Sequence, residues 1–366
     1  MRQFPLPLIP GPVRVPAEVL AAREQDYPSP DVEPEFFELY ARVQGQLQAI
    51  MGTAHAPAIA LGEAMVVLWG AMKSVIAPGD RVLAISTGLF GEGFADMARG
   101  LGAEVCLVEF GDDEAADVNR IEDEVRRFRP RIVTAVHCET PSGVLNPVAE
   151  IGATLDRYDV ELYLVDAVAS IGGAPLLTDD ARIDLCLLGS QKVLATPPDL
   201  GIVAVSPRAW AAIERRDYAG YDALLPFKSA LAKGSFPYTH SWHAVAGMEA
   251  ACRLLLDEGL DQSYARHERV AARCRARGRE LGLELFLRDE RAAAPTVTAF
   301  RVPEAIDWVE LNRRFRAGGL VVGGNYGRLA GKNFRLGHMG TQADEALVDA
   351  ALDVIAVVLS DRPVSV

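Results

Sequence analysis

Thirty-seven residues are basic, but only five are lysines: Lys73, Lys192, Lys228, Lys233 and Lys332. Near neutral pH only these can supply a free amine to attack a carbonyl, because guanidinium groups stay protonated. Lys192 follows the apolar run IDLCLL (183–188) through Gly189-Ser190-Gln191. Asp166 closes another such run, ELYLV (161–165), 26 residues earlier. A third run, RIVTAVH (131–137), leads into Cys138-Glu139-Thr140-Pro141-Ser142-Gly143. A carboxylate and an amine on neighbouring strand ends suit a pyridoxal-type cofactor. The carboxylate keeps the ring nitrogen protonated, and the amine bonds the cofactor carbonyl and later moves a proton. The other lysines fit less well. Lys73 falls inside a helical pattern, Lys228 and Lys233 in an irregular segment, and Lys332 in a glycine-rich loop.

Those strand ends need a sheet to hold them. Short apolar, β-branched runs recur at 81–86, 104–110, 131–137, 161–165, 183–188 and 201–205. Amphipathic helices are predicted between many of them, at 63–76, 93–101, 117–128 and 146–158. The pattern predicts an α/β fold with a mostly parallel sheet covered on both faces. In such sheets functional groups gather at the carboxyl ends of the strands. Helices are predicted at 35–51 before the sheet and at 245–258 and 262–281 after it. The C-terminal part has a strand at 295–300, a helix at 306–317, the loop GGLVVGGNYGRLAGK (318–332) and a helix at 344–359. The expected organisation is an arm (1–15), a large domain (16–255) and a small α+β domain (256–366).

Composition excludes several function classes. The net charge is −13 and no basic cluster occurs, which disfavours nucleic acid and anionic membrane surfaces. The longest apolar stretch, 56–72, contains Glu63, so no span is expected. The proline-broken N-terminus does not read as a secretion signal. Five widely spaced cysteines without a CxxC fit buried free thiols in the cytoplasm, with no metal site. The run GLFGEG (88–93) has glycines spaced GxxGxG, not the dinucleotide fingerprint.

Six stretches together resemble one family: Pro10-Gly11-Pro12, HCETPSGVLNP, LVDAVASIGG, GSQKVLATPP, FPYTHS and RLGHMG, spread over residues 10–340. They are similar to the class V, fold type I pyridoxal-phosphate aminotransferases of the alanine–glyoxylate and serine–pyruvate branch. The resemblance implies a seven-stranded-type sheet and a homodimer with sites at the subunit interface. It implies that Lys192 forms the Schiff base and Asp166 meets the pyridine nitrogen. Thr140 would donate to the ring hydroxyl, Phe90 would stack on the ring, and Gln191 with the partner's Thr239 would reach the phosphate end. Gly62, Glu63, Ala64, Val168 and Tyr238 would complete the cofactor contacts. Arg335 would clamp the substrate carboxylate, with Gly11 and Tyr326 beside it. The substrates implied are a small-molecule amino donor and a 2-oxo acid such as glyoxylate or pyruvate. The loop 318–333 holds no cysteine, which argues against a desulfurase.

One turn departs from that pattern. The family seats the cofactor phosphate on a hydroxyl-bearing turn that opens a helix, where backbone amides and the dipole favour an anion. Here the turn is Leu61-Gly62-Glu63. A carboxylate there either points away or takes the anion's place, leaving room for an unphosphorylated vitamer. The pyridoxamine–pyruvate aminotransferases of the same branch resemble this chain in having Gly-Glu at the turn. They also carry a second arginine in the C-terminal glycine loop, where this chain has Tyr326, with Arg328 two positions on.

Overall fold

The computed structural model describes residues 5–360. Residues 1–4 of the expected arm and 361–366 of the expected small domain lie outside the described residues. In chain order the first elements are β1 (Leu6–Leu8), α1 (Ala17–Arg23), α2 (Pro34–Met51), β2 (Ala58–Leu61) and α3 (Ala64–Val75). Then come β3 (Arg81–Ser86), α4 (Leu89–Gly100), β4 (Glu104–Glu109), α5 (Val118–Phe128) and β5 (Ile132–Val136). A hairpin of β6 (Cys138–Glu139) and β7 (Val144–Leu145) precedes α6 (Val148–Leu155), β8 (Leu162–Asp166), β9 (Leu185–Gly189) and β10 (Leu200–Val205). The helices α7 (Pro207–Arg216), α8 (Ala230–Lys233), α9 (Trp242–Glu258) and α10 (Leu260–Glu280) follow. The chain ends with β11 (Val297–Arg301), α11 (Trp308–Ala317), β12 (Leu320–Val322), β13 (Asn333–Gly337) and α12 (Glu345–Ser360).

Seven strands form one sheet in the order β2-β10-β9-β8-β5-β3-β4. Only β10 runs against its neighbours, β2 and β9. Two reversals cancel, so β2 points the same way as β9, β8, β5 and β3. The carboxyl ends of five strands, Leu61, Ser86, Val136, Asp166 and Gly189, therefore share one edge. Every residue of β5, β8 and β9 is buried, as expected of strands covered on both faces. One hydrophobic core on each face holds the sheet flat against its helices. Removing one of these side chains, as in Leu188→Ala, costs about 2–5 kcal/mol.

A third core is built from α10, α11, α12, β11, β12 and β13. Leu8 belongs to it too, because β1 pairs in parallel with β12. The N-terminal segment is thus partly woven into the C-terminal layer and then crosses to the large sheet. Gly259, at φ 86, breaks α9 from α10 and turns the chain from one layer to the other.

Two readings need correction. The helix expected at 93–101 begins at Leu89, so Phe90 lies in its first turn and not in a glycine turn. Gly91 is required inside that helix: a Cβ there would lie 2.6 Å from the Ser86 Cα. Four of the cysteines are buried, but Cys106 is half-exposed beside Glu124 and Arg127. No helix among the described residues is long and apolar enough to cross a membrane, and no cluster of metal-binding side chains occurs among them.

Candidate active site

The aligned strand ends bring the expected residues together. Lys192 follows β9, and its Nζ donates to the Pro10 carbonyl at 2.6 Å. Gly11 presses against it, and a Cβ there would come within 2.8 Å of Nζ. Among the described residues its only hydrogen bond is to this one backbone oxygen, so the amine remains available. Asp166 ends β8. Its Oδ1 accepts from the Val168 amide at 2.9 Å, which fixes the carboxylate at the sheet edge.

Burial dominates the electrostatics of this pair. It lowers the Lys192 pKa below the usual lysine range, and the Arg335 charge lowers it further. It raises Asp166 to about 6, against the opposing pull of the Val168 amide and Lys192. The two charges attract each other, yet desolvation outweighs the attraction for both. A cationic group beside Asp166 would restore its charge.

Glu63 stands at the N-cap of α3. Its Oε2 accepts from the Met65 amide at 2.8 Å and its Oε1 from Gln191 Nε2 at 2.6 Å. The carboxylate therefore points into the site and fills the anion position at the helix start. Gln191 Oε1 is buried without a partner among the described residues. It lies in a tight cradle: a Cβ on Gly189 would meet it at 2.9 Å, Val168 Cγ1 at 2.9 Å and Ala64 Cβ at 3.0 Å.

Arg335, on β13, is buried and aims at the same space from the C-terminal layer. Its Nε and Nη2 donate to the Gly324 carbonyl, and its Nη1 reaches the Thr140 carbonyl at 3.5 Å. The Tyr326 ring lies 5.9 Å from its guanidinium carbon. Arg328 does not join them, because it is paired with Glu92 and Asp112.

Glu139 carries a role that the sequence reading did not assign. It is fully buried, and its two oxygens accept from the Phe90 and Gly91 amides at 2.9 and 3.3 Å. It thus caps α4 from β6, just beyond the end of β5, and fixes Phe90 at the sheet edge. Burial raises its pKa to about 8, partly offset by the two amides. The available signal was its place in HCETPSG, directly before Thr140.

Tyr238 meets the site edge at the end of β2, whereas Thr239 lies apart from Lys192. The Tyr238 hydroxyl accepts from the Leu61 amide, and Thr239 donates to Asp31. Both line an apolar cavity of about 420 Å³ with the exposed Val66 and Tyr221. Thr239 is not joined to the Lys192 cluster of its own chain.

These residues fit a pyridoxal ring: an available amine, a fixed carboxylate and an unpartnered amide oxygen converge. At the end where a phosphate would sit, the chain supplies its own carboxylate.

The family model described as Aminotransferase class-V matches residues 60–328. An aminotransferase of Methanocaldococcus jannaschii is 35% identical, over 91% of this chain and 87% of its own. A pyridoxamine–pyruvate transaminase of Mesorhizobium japonicum is 33% identical, over 94% of this chain and 89% of its own. The crystal structure of an alanine–glyoxylate aminotransferase from Nostoc sp. superposes with a TM-score of 0.94 at 27% identity, covering 98% of this chain and 96% of that one.

Proposed function

The chain belongs to the class V aminotransferases, and from that premise we propose that Lys192 carries a pyridoxal-type cofactor and passes an amino group to a small 2-oxo acid, glyoxylate or pyruvate. The observation that carries this reading is the convergence of Lys192 Nζ, Asp166 and Arg335 at one sheet edge.

The cofactor, when bound, supplies an electron-withdrawing ring that stabilises negative charge on the carbon beside the amino nitrogen. The protein's own residues do the rest. Asp166, oriented by the Val168 amide, holds the ring nitrogen protonated. Lys192, held at the Pro10 carbonyl, is the amine that would hold the cofactor. Burial lowers its pKa below the usual lysine range, which favours the neutral form that a base requires. As that base it would take a proton from the donor's α-carbon and return it one carbon away. Arg335 binds the substrate carboxylate in its guanidinium fork. Glu139 fixes Phe90 as a wall of the ring site, with Thr140 next to it.

A second reading has its own observation. Glu63 caps α3 and holds Gln191, so the anion seat is already filled. That favours an unphosphorylated vitamer, with pyridoxamine as amino donor and pyruvate as acceptor. Two assays test both readings: amino transfer from alanine to glyoxylate, and from pyridoxamine to pyruvate. Failure of both sinks the aminotransferase reading.

The assembly we propose is a homodimer in which Thr239 serves the partner's site. Its separation from its own Lys192 and the exposed Val66 and Tyr221 beside it support this. Five unpaired cysteines suit a cytoplasmic setting. The cores support reading residues 16–255 as the cofactor domain and 256–366 as the small one, with 1–15 as the connecting arm.

A further inference from the structure

The loop between β12 and β13 crosses from the C-terminal layer to the large sheet. Its contacts fall on three residues within one short stretch, 325–328. Asn325 Nδ2 donates to the Pro141 carbonyl at 2.6 Å. Tyr326 faces Arg335. Arg328 bridges Glu92 on α4 and Asp112 beyond β4, using both oxygens of each carboxylate. All three members of this bridge are less than two-fifths exposed.

The bridge belongs to a longer seam. Arg288 and Arg301, from the same C-terminal layer, face Asp113, and Arg288 also reaches Glu114. Three arginines on one side thus meet four carboxylates on the other. A single surface pair contributes little, but a network that ties a loop at several points fixes its position.

Two consequences follow for Arg335. The loop backbone already sits on it, since Gly324 accepts from Nε and Nη2. The loop also brings a phenol to the clamp, while the neighbouring guanidinium of Arg328 is neutralised by two carboxylates.

Resting on the aminotransferase reading, we propose that Arg328 is a positioning residue for substrate choice. By bridging Glu92 and Asp112 it pins residues 323–332 so that Tyr326 lines the Arg335 clamp and no second guanidinium is open to the substrate. The site then selects 2-oxo acids with one carboxylate. A dicarboxylate would place its second charge against Tyr326, unpaired and partly desolvated.

Two variants and two readouts test this. Arg328→Gln frees the loop while leaving Lys192, Asp166 and Arg335 in place. It is expected to raise KM for pyruvate about tenfold with kcat changed about twofold or less, the signature of lost positioning. Combining Glu92→Gln with Asp112→Asn releases Arg328 as a free cation. The kcat/KM ratio of 2-oxoglutarate to pyruvate is then expected to rise about tenfold, the scale of one added charge-assisted contact. An unchanged ratio, or an unchanged KM in Arg328→Gln, overturns the proposal. Hydrogen exchange of residues 323–332 reads the tether without turnover. Faster exchange in Arg328→Gln supports it, and unchanged exchange overturns it even when transamination is robust. Absence of amino transfer by the native protein defeats the functional reading instead, while the exchange result still decides the tether.

Discussion

Gln191 Nε2 donates to Glu63 Oε1 at 2.6 Å, so the residue preceding the reactive lysine is tied to the carboxylate that caps α3. The bond joins the ends of β9 and β2, two strands apart in the sheet. It places a negative charge where the helix start would otherwise attract one from a ligand.

Glu63→Gly removes that charge. The ratio of pyridoxal-phosphate to pyridoxal affinity is expected to rise at least about tenfold, because a like charge no longer faces the dianion. Loss of the cap should lower stability by only about a few tenths of a kcal/mol, because glycine is itself tolerated at an N-cap. Absorbance titration with each vitamer measures the ratio. A ratio equal to that of the native protein would show that Glu63 does not select the vitamer.

Asp166→Asn keeps an oxygen for the Val168 amide but removes the charge. Amino transfer should fall about 100-fold or more in kcat, the scale of losing one preorganised charged partner. Steady-state kinetics with a folded variant provide the check, and kcat within about twofold of native would remove Asp166 from the mechanism.

Glu139 predicts a pH dependence of the cofactor-free protein. Its folded pKa is raised to about 8, so between roughly pH 4.5 and 8 the folded state binds more protons than the unfolded one. Its contribution is complete below the unfolded pKa and is lost as pH rises through about 8. Thermal melts should show native protein losing stability from pH 6 to pH 8 relative to Glu139→Gln. Parallel curves for the two proteins would contradict this.

Thr239 predicts complementation between subunits. Lys192→Ala and Thr239→Ala should each be impaired alone, and mixing them after dissociation should restore activity. The hybrid contains one site with both native residues only if Thr239 acts across the interface. No gain on mixing would place Thr239 in its own subunit's chemistry or outside it.

Much of this site was legible in the sequence because apolar runs announce buried strands and strand ends announce the rim. Asp166 and Lys192 were placed by that rule, and the Gly62-Glu63 turn by the resemblance to the family's anion seat. Glu139 was not, because carboxylates are ordinarily exposed and the two-residue strands around it carry no periodicity. The start of α4 was hidden by Gly91 and Gly93, which read as a turn. In the fold, Gly91 is what lets the helix pack on Ser86. The pairing of β1 with β12 and the Arg328 bridge join residues more than 200 positions apart, which no local pattern encodes.

The central claim is that Lys192 alone among the five lysines carries the cofactor. Borohydride trapping after incubation with pyridoxal or pyridoxal phosphate, followed by peptide mass mapping, tests it directly. The expected result is one modified peptide, containing Lys192, whose added mass also identifies the vitamer. Modification at Lys73, Lys228, Lys233 or Lys332 instead, or none under conditions that support turnover, would contradict the account.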